Sequence, residues 1–178
     1  MNNKKSNVFI SLFIVIILIG IIIYLIANVK QPYVECSLSN TDDLGITINE
    51  KVITTLSSRS ITSLNITKKI ILPKKYDTSS NKNAIIYSLN SAFEYLGDDV
   101  TIREEDNTII VNIKTDSKIP VILDNISFNY TDSLAININT NTKSSDVFTI
   151  SVGDKYSEGE LMVSLKNYGY NCKWLMII

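Results

Sequence analysis

Hydrophobic residues are distributed along this chain in several distinct patterns, and the first is a continuous apolar run. Between Val8 and Ala27 there is no charged residue, and most positions are Ile, Leu, Val or Phe. A helix of that length reaches about 30 Å, the thickness of a bilayer hydrocarbon core. The run therefore predicts an uncleaved transmembrane helix over residues 8–29. A cleaved signal peptide is the alternative, but its apolar region is usually shorter, about 7–15 residues.

The following stretch alternates apolar and polar residues with the period of a β-strand. Two alternating arms between Ile46 and Leu72 flank the polar segment Ser57–Ser60, which predicts a long β-hairpin. A second hairpin is expected to turn at Asp106-Asn107, since these residues suit turns. Further strands are predicted at Val121–Leu123, Ile126–Tyr130, Leu134–Asn139, Val147–Val152 and Tyr170–Lys173.

Two other segments have helical spacing. Apolar residues recur from Ala84 to Leu96 and end at Gly97, which fits a helix with a glycine after its last turn. Ser157 and Glu160 form a capping-box sequence before a second helix, which is expected to end at Gly169. We therefore expect an α+β fold, in which one N-terminal transmembrane helix precedes a single domain of antiparallel sheet with two packed helices.

Charge around the apolar run predicts the topology. Lys4 and Lys5 precede the run and only Lys30 follows it closely, so the N-terminus is expected in the cytoplasm and the C-terminal domain outside it. The expected divisions are a cytoplasmic tail at 1–7, an anchor at 8–29, a stalk at 30–35 and an extracytoplasmic domain at 36–178. The predicted location is the cell membrane, with the protein crossing it once as an integral protein.

The charge of the predicted extracytoplasmic part of the chain indicates which kinds of partner it can bind. It would carry a net charge of about −4, and its only arginines are Arg59 and Arg103. Without a basic patch, nucleic acid is not expected as a partner. Another protein of the cell envelope is the partner that we expect.

The two cysteines, Cys36 and Cys172, bracket the predicted domain. With no third cysteine and an oxidising location, a Cys36–Cys172 disulfide is predicted. Two unpaired, buried thiols are the alternative. Two thiols without any histidine are too few ligands for tetrahedral zinc, so no metal and no cofactor is expected.

The order of these segments resembles a known family. The helix ends in Phe93-Glu94-Tyr95-Leu96-Gly97, and the chain closes on Gly169-Tyr170-Asn171-Cys172-Lys173 after a first strand that contains Cys36. This arrangement is similar to the YehR-like small exported proteins of low-GC Gram-positive bacteria. The resemblance implies an extracytoplasmic α+β domain of undefined activity and supplies no catalytic residues. The chain departs from the lipoprotein members because it has an apolar anchor in place of a lipobox.

Catalysis is not expected. The chain has no histidine, so the commonest general base near neutral pH is absent. The adjacent carboxylates Asp98-Asp99 and Glu104-Glu105-Asp106 are better explained as turn residues than as an acid and a base. No catalytic, cofactor-binding or metal-binding residue is therefore predicted.

Two groups of aromatic and apolar residues are candidates for binding. Tyr87 and Tyr95 fall away from the apolar stripe of the first helix and could form an aromatic surface for a peptide or glycan, although ordinary half-buried tyrosines are the alternative. The C-terminal tail could lie in a membrane interface or form a last core strand. It consists of Trp174, Leu175, Met176, Ile177 and Ile178.

These observations predict a class of function without naming an activity. We expect a non-enzymatic, membrane-anchored binding or assembly module of a bacterial cell envelope. The alternative is a sensor or carrier domain for a small ligand or cell-wall fragment, which would have a concave pocket lined by tyrosines.

Overall fold

A computed structural model describes residues 14–21, 33–123, 126–130, 134–138 and 148–175. The chain divides into two compact units. One unit comprises Met1–Gln31 with Met176–Ile178 and includes helix α1, residues 14–21. The other unit, Pro32–Leu175, contains all the strands and the remaining helices that the structure describes.

The structure corrects the prediction of a membrane anchor. Among the residues that the structure describes, no helix is both long and apolar enough to cross a membrane. The predicted transmembrane helix, and the single-pass location in the cell membrane that depended on it, are therefore wrong. The rest of the predicted anchor, residues 8–13 and 22–29, lies outside the described residues.

The larger unit is built on a six-stranded antiparallel sheet with the strand order β10-β1-β2-β3-β5-β4. Residues 33–35, predicted as part of a stalk, are the first residues of β1. The predicted hairpins at Ile46–Leu72 and around Asp106-Asn107 are confirmed as β2–β3 and β4–β5. The strands of the sheet are β1 (Tyr33–Thr41), β2 (Thr47–Ser57), β3 (Ser60–Ile71), β4 (Val100–Glu105), β5 (Thr108–Thr115) and β10 (Asn171–Leu175).

Two short strand pairs lie outside this sheet, β6 (Val121–Ile122) with β9 (Thr149–Ile150) and β7 (Ile126–Tyr130) with β8 (Leu134–Ile138). Phe128 and Leu134 of the second pair belong to the main core. Strand β8 of that pair contacts helix α2.

Two α-helices pack on the sheet. Helix α2 (Ser79–Phe93) begins at Thr78, whose side chain accepts a hydrogen bond from the backbone of Asn81, and a 3₁₀-helix (Glu94–Asp99) follows it. Helix α3 (Glu158–Asn167) begins with the predicted capping box between Ser157 and Glu160, which is confirmed. Their buried residues are Ile85, Leu89 and Phe93 in α2 and Leu161 and Leu165 in α3.

The two faces of the sheet have different roles. Apolar residues at alternate positions, such as Val52 and Ile66, are completely buried and form one core with the helices. The intervening positions point to the opposite side, which we call the open face. The described chain is thus α+β with a mostly antiparallel sheet, and its helices are α1, α2 and α3 in addition to the 3₁₀ turn.

Candidate functional site

The open face carries a continuous line of polar side chains. Directly paired residues of neighbouring antiparallel strands point to the same side of a sheet, so the register places one residue from each strand in the same line. Six strands about 4.8 Å apart make this line roughly 24 Å long. We call it the polar row, and it consists of Asn171, Ser37, Lys51, Thr67, Asn112 and Thr101, in order from β10 to β4.

Hydrogen bonds within the open face hold several of these side chains. The Thr67 hydroxyl donates to Oδ1 of Asn112 at 3.0 Å, and the Ser39 hydroxyl donates to Oδ1 of Asn49 at 2.7 Å. Each bond uses the amide oxygen of an asparagine, and its amide nitrogen is the group that still offers donors to a ligand. The face therefore presents fixed amide and hydroxyl groups.

Two grooves follow the open face and meet at Thr67. The β1–β3 groove has a volume of about 420 Å³ and the β3–β4 groove about 480 Å³, both within the usual range of ligand sites, roughly 300–1,000 Å³. The first is lined by Ser37, Leu38, Ser39, Asn49, Glu50, Lys51, Thr67 and Lys69, and the second by Asn65, Thr67, Asp98, Asp99, Thr101, Asn112 and Lys114.

One carboxylate organises the charge at the β10 side of the open face. Glu35 of β1 lies between Lys51 of β2 and Lys173 of β10, with a distance of 2.9 Å from a carboxylate oxygen to each ammonium nitrogen. Hydrogen bonds from Lys173 and then Lys51 lower the pKa of Glu35, and the bond to Glu35 raises the pKa of Lys173. This ion-pair cluster connects three adjacent strands.

A second ion pair lies on the opposite side of the sheet, inside the core. Glu50 of β2 and Lys68 of β3 are directly paired in register, and their side chains approach to 2.8 Å with only 2% and 1% exposed. This pair was not predicted from the sequence. The available signal was that both residues occupy alternate positions of mostly apolar strand faces.

The predicted disulfide is confirmed, and the alternative of two free thiols is wrong. Cys36 and Cys172 are directly paired across β1 and β10, with a Cα–Cα distance of 4.0 Å. The bridge links positions separated by 136 residues and fixes the edge strand β10 to the sheet. Both cysteines are buried, so the disulfide belongs to the core.

The predicted aromatic surface lies away from the grooves. Tyr87 on α2 is 78% exposed and Tyr95 in the 3₁₀-helix is 47% exposed, and burial raises the pKa of the Tyr95 phenol. Neither tyrosine lines the two grooves, which are bordered mainly by polar and charged residues. Binding of a peptide or glycan by these tyrosines stays a prediction.

The predicted C-terminal tail is only partly described. Trp174 and Leu175 are the last residues of β10, and Trp174 is 44% exposed at the sheet edge. Trp174 pairs with Val34, so it projects to the helix side of the sheet. Met176, Ile177 and Ile178 lie outside the described residues, and the membrane-interface role of this tail stays a prediction.

The described part of the chain gathers no group of three or more His, Cys, Asp or Glu side chains in a position to hold a metal ion.

No protein-family model, curated protein or solved structure matches this chain, so its similarity to the YehR-like proteins stays a prediction.

Proposed function

We propose that this chain is a non-enzymatic binding module that holds an extended polar ligand on the open face of its sheet. The observation that carries the proposal is the polar row, which crosses six strands and joins two grooves at Thr67. A continuous row suits a ligand that is itself a chain with regularly spaced hydrogen-bonding groups. Glycans have this character, since every sugar carries hydroxyl groups and many carry amides.

The chemistry of the open face supports a glycan over a protein partner. The centres of protein interfaces are enriched in aromatic residues and Met and depleted in Lys, Ser and Asp. The groove linings have the opposite composition, with lysines, serines, threonines and asparagines. Such groups make hydrogen bonds to hydroxyls and amides. Assembly with another protein is therefore the second possibility, and it would need a different surface.

Several features support binding without turnover. The sequence has no histidine to act as a base near neutral pH. A hydroxyl becomes a good nucleophile only beside such a base or an equivalent group. Thr67, at the junction of the grooves, instead donates its hydroxyl proton to an asparagine oxygen. The groups are arranged to hydrogen-bond a ligand.

The test is calorimetric titration of the oxidised full chain with two hexasaccharides, chitohexaose and hyaluronan hexasaccharide. Thr67→Trp places a large side chain where the two grooves meet, and we expect it to abolish binding of whichever sugar binds. Ser91→Trp, on the exposed side of α2, is the matched control and should bind as the wild type does.

Two results would overturn this proposal. Unchanged affinity in Thr67→Trp would show that the open face is not the binding surface. If the wild-type chain bound neither sugar at millimolar concentration, glycan binding itself would be excluded. A stable dimer in light scattering, unaffected by Thr67→Trp, would then favour the assembly function.

A further inference from the structure

We infer that the β1–β3 groove is the subsite for an anionic group, and that the ligand is an acidic glycan with spaced charges. This inference rests on the proposed function and specifies its ligand. The charge of this groove differs from that of the whole chain. The chain has a net charge of −1, whereas the side chains that open into this groove include two lysines, Lys51 and Lys69.

The two lysines lie close enough to share one anion. Lys69 of β3 pairs with Asn49, which is two residues before Lys51 on β2. Diagonal neighbours of this kind are about 7–8 Å apart in antiparallel sheets. Their mutual repulsion falls when an anion lies between them, because each ammonium group then gains an opposite charge.

Carboxylates near the groove do not cancel this charge. Glu50 lines the groove, but its carboxylate is buried on the other side of the sheet against Lys68. Glu35 is shared between Lys51 and Lys173, so one negative charge faces two positive ones. Lys69 is exposed and forms no ion pair with any residue that the structure describes. Positive charge therefore remains in excess here.

Neutral donors complete the subsite. The Ser39 hydroxyl donates to Oδ1 of Asn49, which leaves the Asn49 amide nitrogen as a donor toward the groove. Ser37 contributes a further hydroxyl from the polar row. Two ammonium groups with amide and hydroxyl donors match a carboxylate, phosphate or sulfate attached to a hydroxylated chain.

The adjoining groove indicates that the charges of the ligand are spaced. Asp98, Asp99 and Lys114 line the β3–β4 groove, which shares Thr67 with the first groove, so negative charge is in excess there. A nucleic acid carries a charge on every nucleotide and would bring phosphates against these carboxylates. A glycan that alternates charged and uncharged sugars can place an anion in the first groove and neutral hydroxyl or acetamide groups in the second.

The experiment compares three probes by calorimetry at low and high salt. These are hyaluronan hexasaccharide, which has a carboxylate on alternate sugars, uncharged chitohexaose, and an oligothymidylate of similar length. We expect the hyaluronan fragment to bind most tightly and its affinity to fall with salt. Lys51→Gln combined with Lys69→Gln should weaken hyaluronan binding by on the order of tenfold and leave chitohexaose binding nearly unchanged.

Controls separate this inference from the function on which it rests. The pair Lys74→Gln and Lys166→Gln removes two exposed lysines elsewhere and should bind as the wild type does. Lys69→Gln alone breaks no ion pair with a described residue, so it tests the subsite even if the double variant folds poorly. If chitohexaose or the oligonucleotide bound as tightly as the hyaluronan fragment, the inference would be overturned. The open face would still be the binding surface. Binding of neither sugar would overturn the proposed function too.

Discussion

At the scale of single residues, Glu50 and Lys68 are the least expected pair in the core. Both side chains are almost completely buried and lie 2.8 Å apart. Removing ions from water costs several kcal/mol each, and mutual attraction offsets this only while both partners are present. The pair therefore makes stability depend strongly on both residues without making the fold more stable than an apolar pair would.

This dependence predicts different outcomes for single and double substitutions. Lys68→Met should lower the free energy of unfolding by about 3–5 kcal/mol, because it leaves the Glu50 carboxylate without its cation in the core. Glu50→Met combined with Lys68→Met should restore stability to within about 1 kcal/mol of the wild type or above it. Urea denaturation measures each value. A double variant as unstable as the single one would show that the pair is not the source of the effect.

At the scale of elements, the edge strand β10 is held to the sheet by charge as well as by its disulfide. Lys173 of β10 and Lys51 of β2 both contact Glu35 of β1. The pKa of Glu35 in the folded protein is lowered below its ordinary value of 4.5. The ionised carboxylate therefore stabilises the fold above pH 4.5, and this contribution is lost as the pH falls through the lowered pKa.

Glu35→Gln should remove this part of the acid dependence. At pH 6 the variant should melt at a lower temperature than the wild type. This difference in melting temperature should shrink as the pH falls toward 3. Glu94→Gln is the matched control, since Glu94 is exposed and the structure describes no ion pair for it. Melting curves between pH 3 and pH 7 provide the measurement. A difference that stays constant with pH would contradict the assigned role of Glu35.

Individual elements were largely predictable because their signals are local. The capping box at Ser157 and Glu160 and the alternation in β2 and β3 depend only on neighbouring residues. The turn geometry was not predictable in the same way. Ser58 and Arg59 between β2 and β3 adopt positive φ angles of 51° and 61°, a conformation that glycine and asparagine favour. Pairing of the long arms evidently outweighs the local preference there.

At the scale of the whole molecule, the sequence held much less information about which residues the fold brings together. Alternation shows that each strand has polar positions, but only the register brings Lys51, Thr67 and Asn112 into one row. Alternation could place Glu50 and Lys68 on the buried face, but the register alone shows that they pair. In the N-terminal part, apolar composition predicted a membrane-spanning helix, whereas no helix among the described residues is long and apolar enough to cross a membrane. The cysteines were the exception, because two of them permit only one pairing.

That pairing is also the strongest constraint on the whole molecule. The Cys36–Cys172 disulfide closes a loop over a sequence separation of 136 residues. In the chain-entropy model, such a loop stabilises the fold by about 5 kcal/mol, less any strain. Cys36→Ala combined with Cys172→Ala should therefore lower the melting temperature by roughly 10–20 °C. Calorimetry with and without a phosphine reductant tests this, because reductant should destabilise the wild type and leave the variant unchanged. Equal melting of the variant and the oxidised wild type would show that the interactions of β10 with β1 and α3 hold the edge strand without the disulfide.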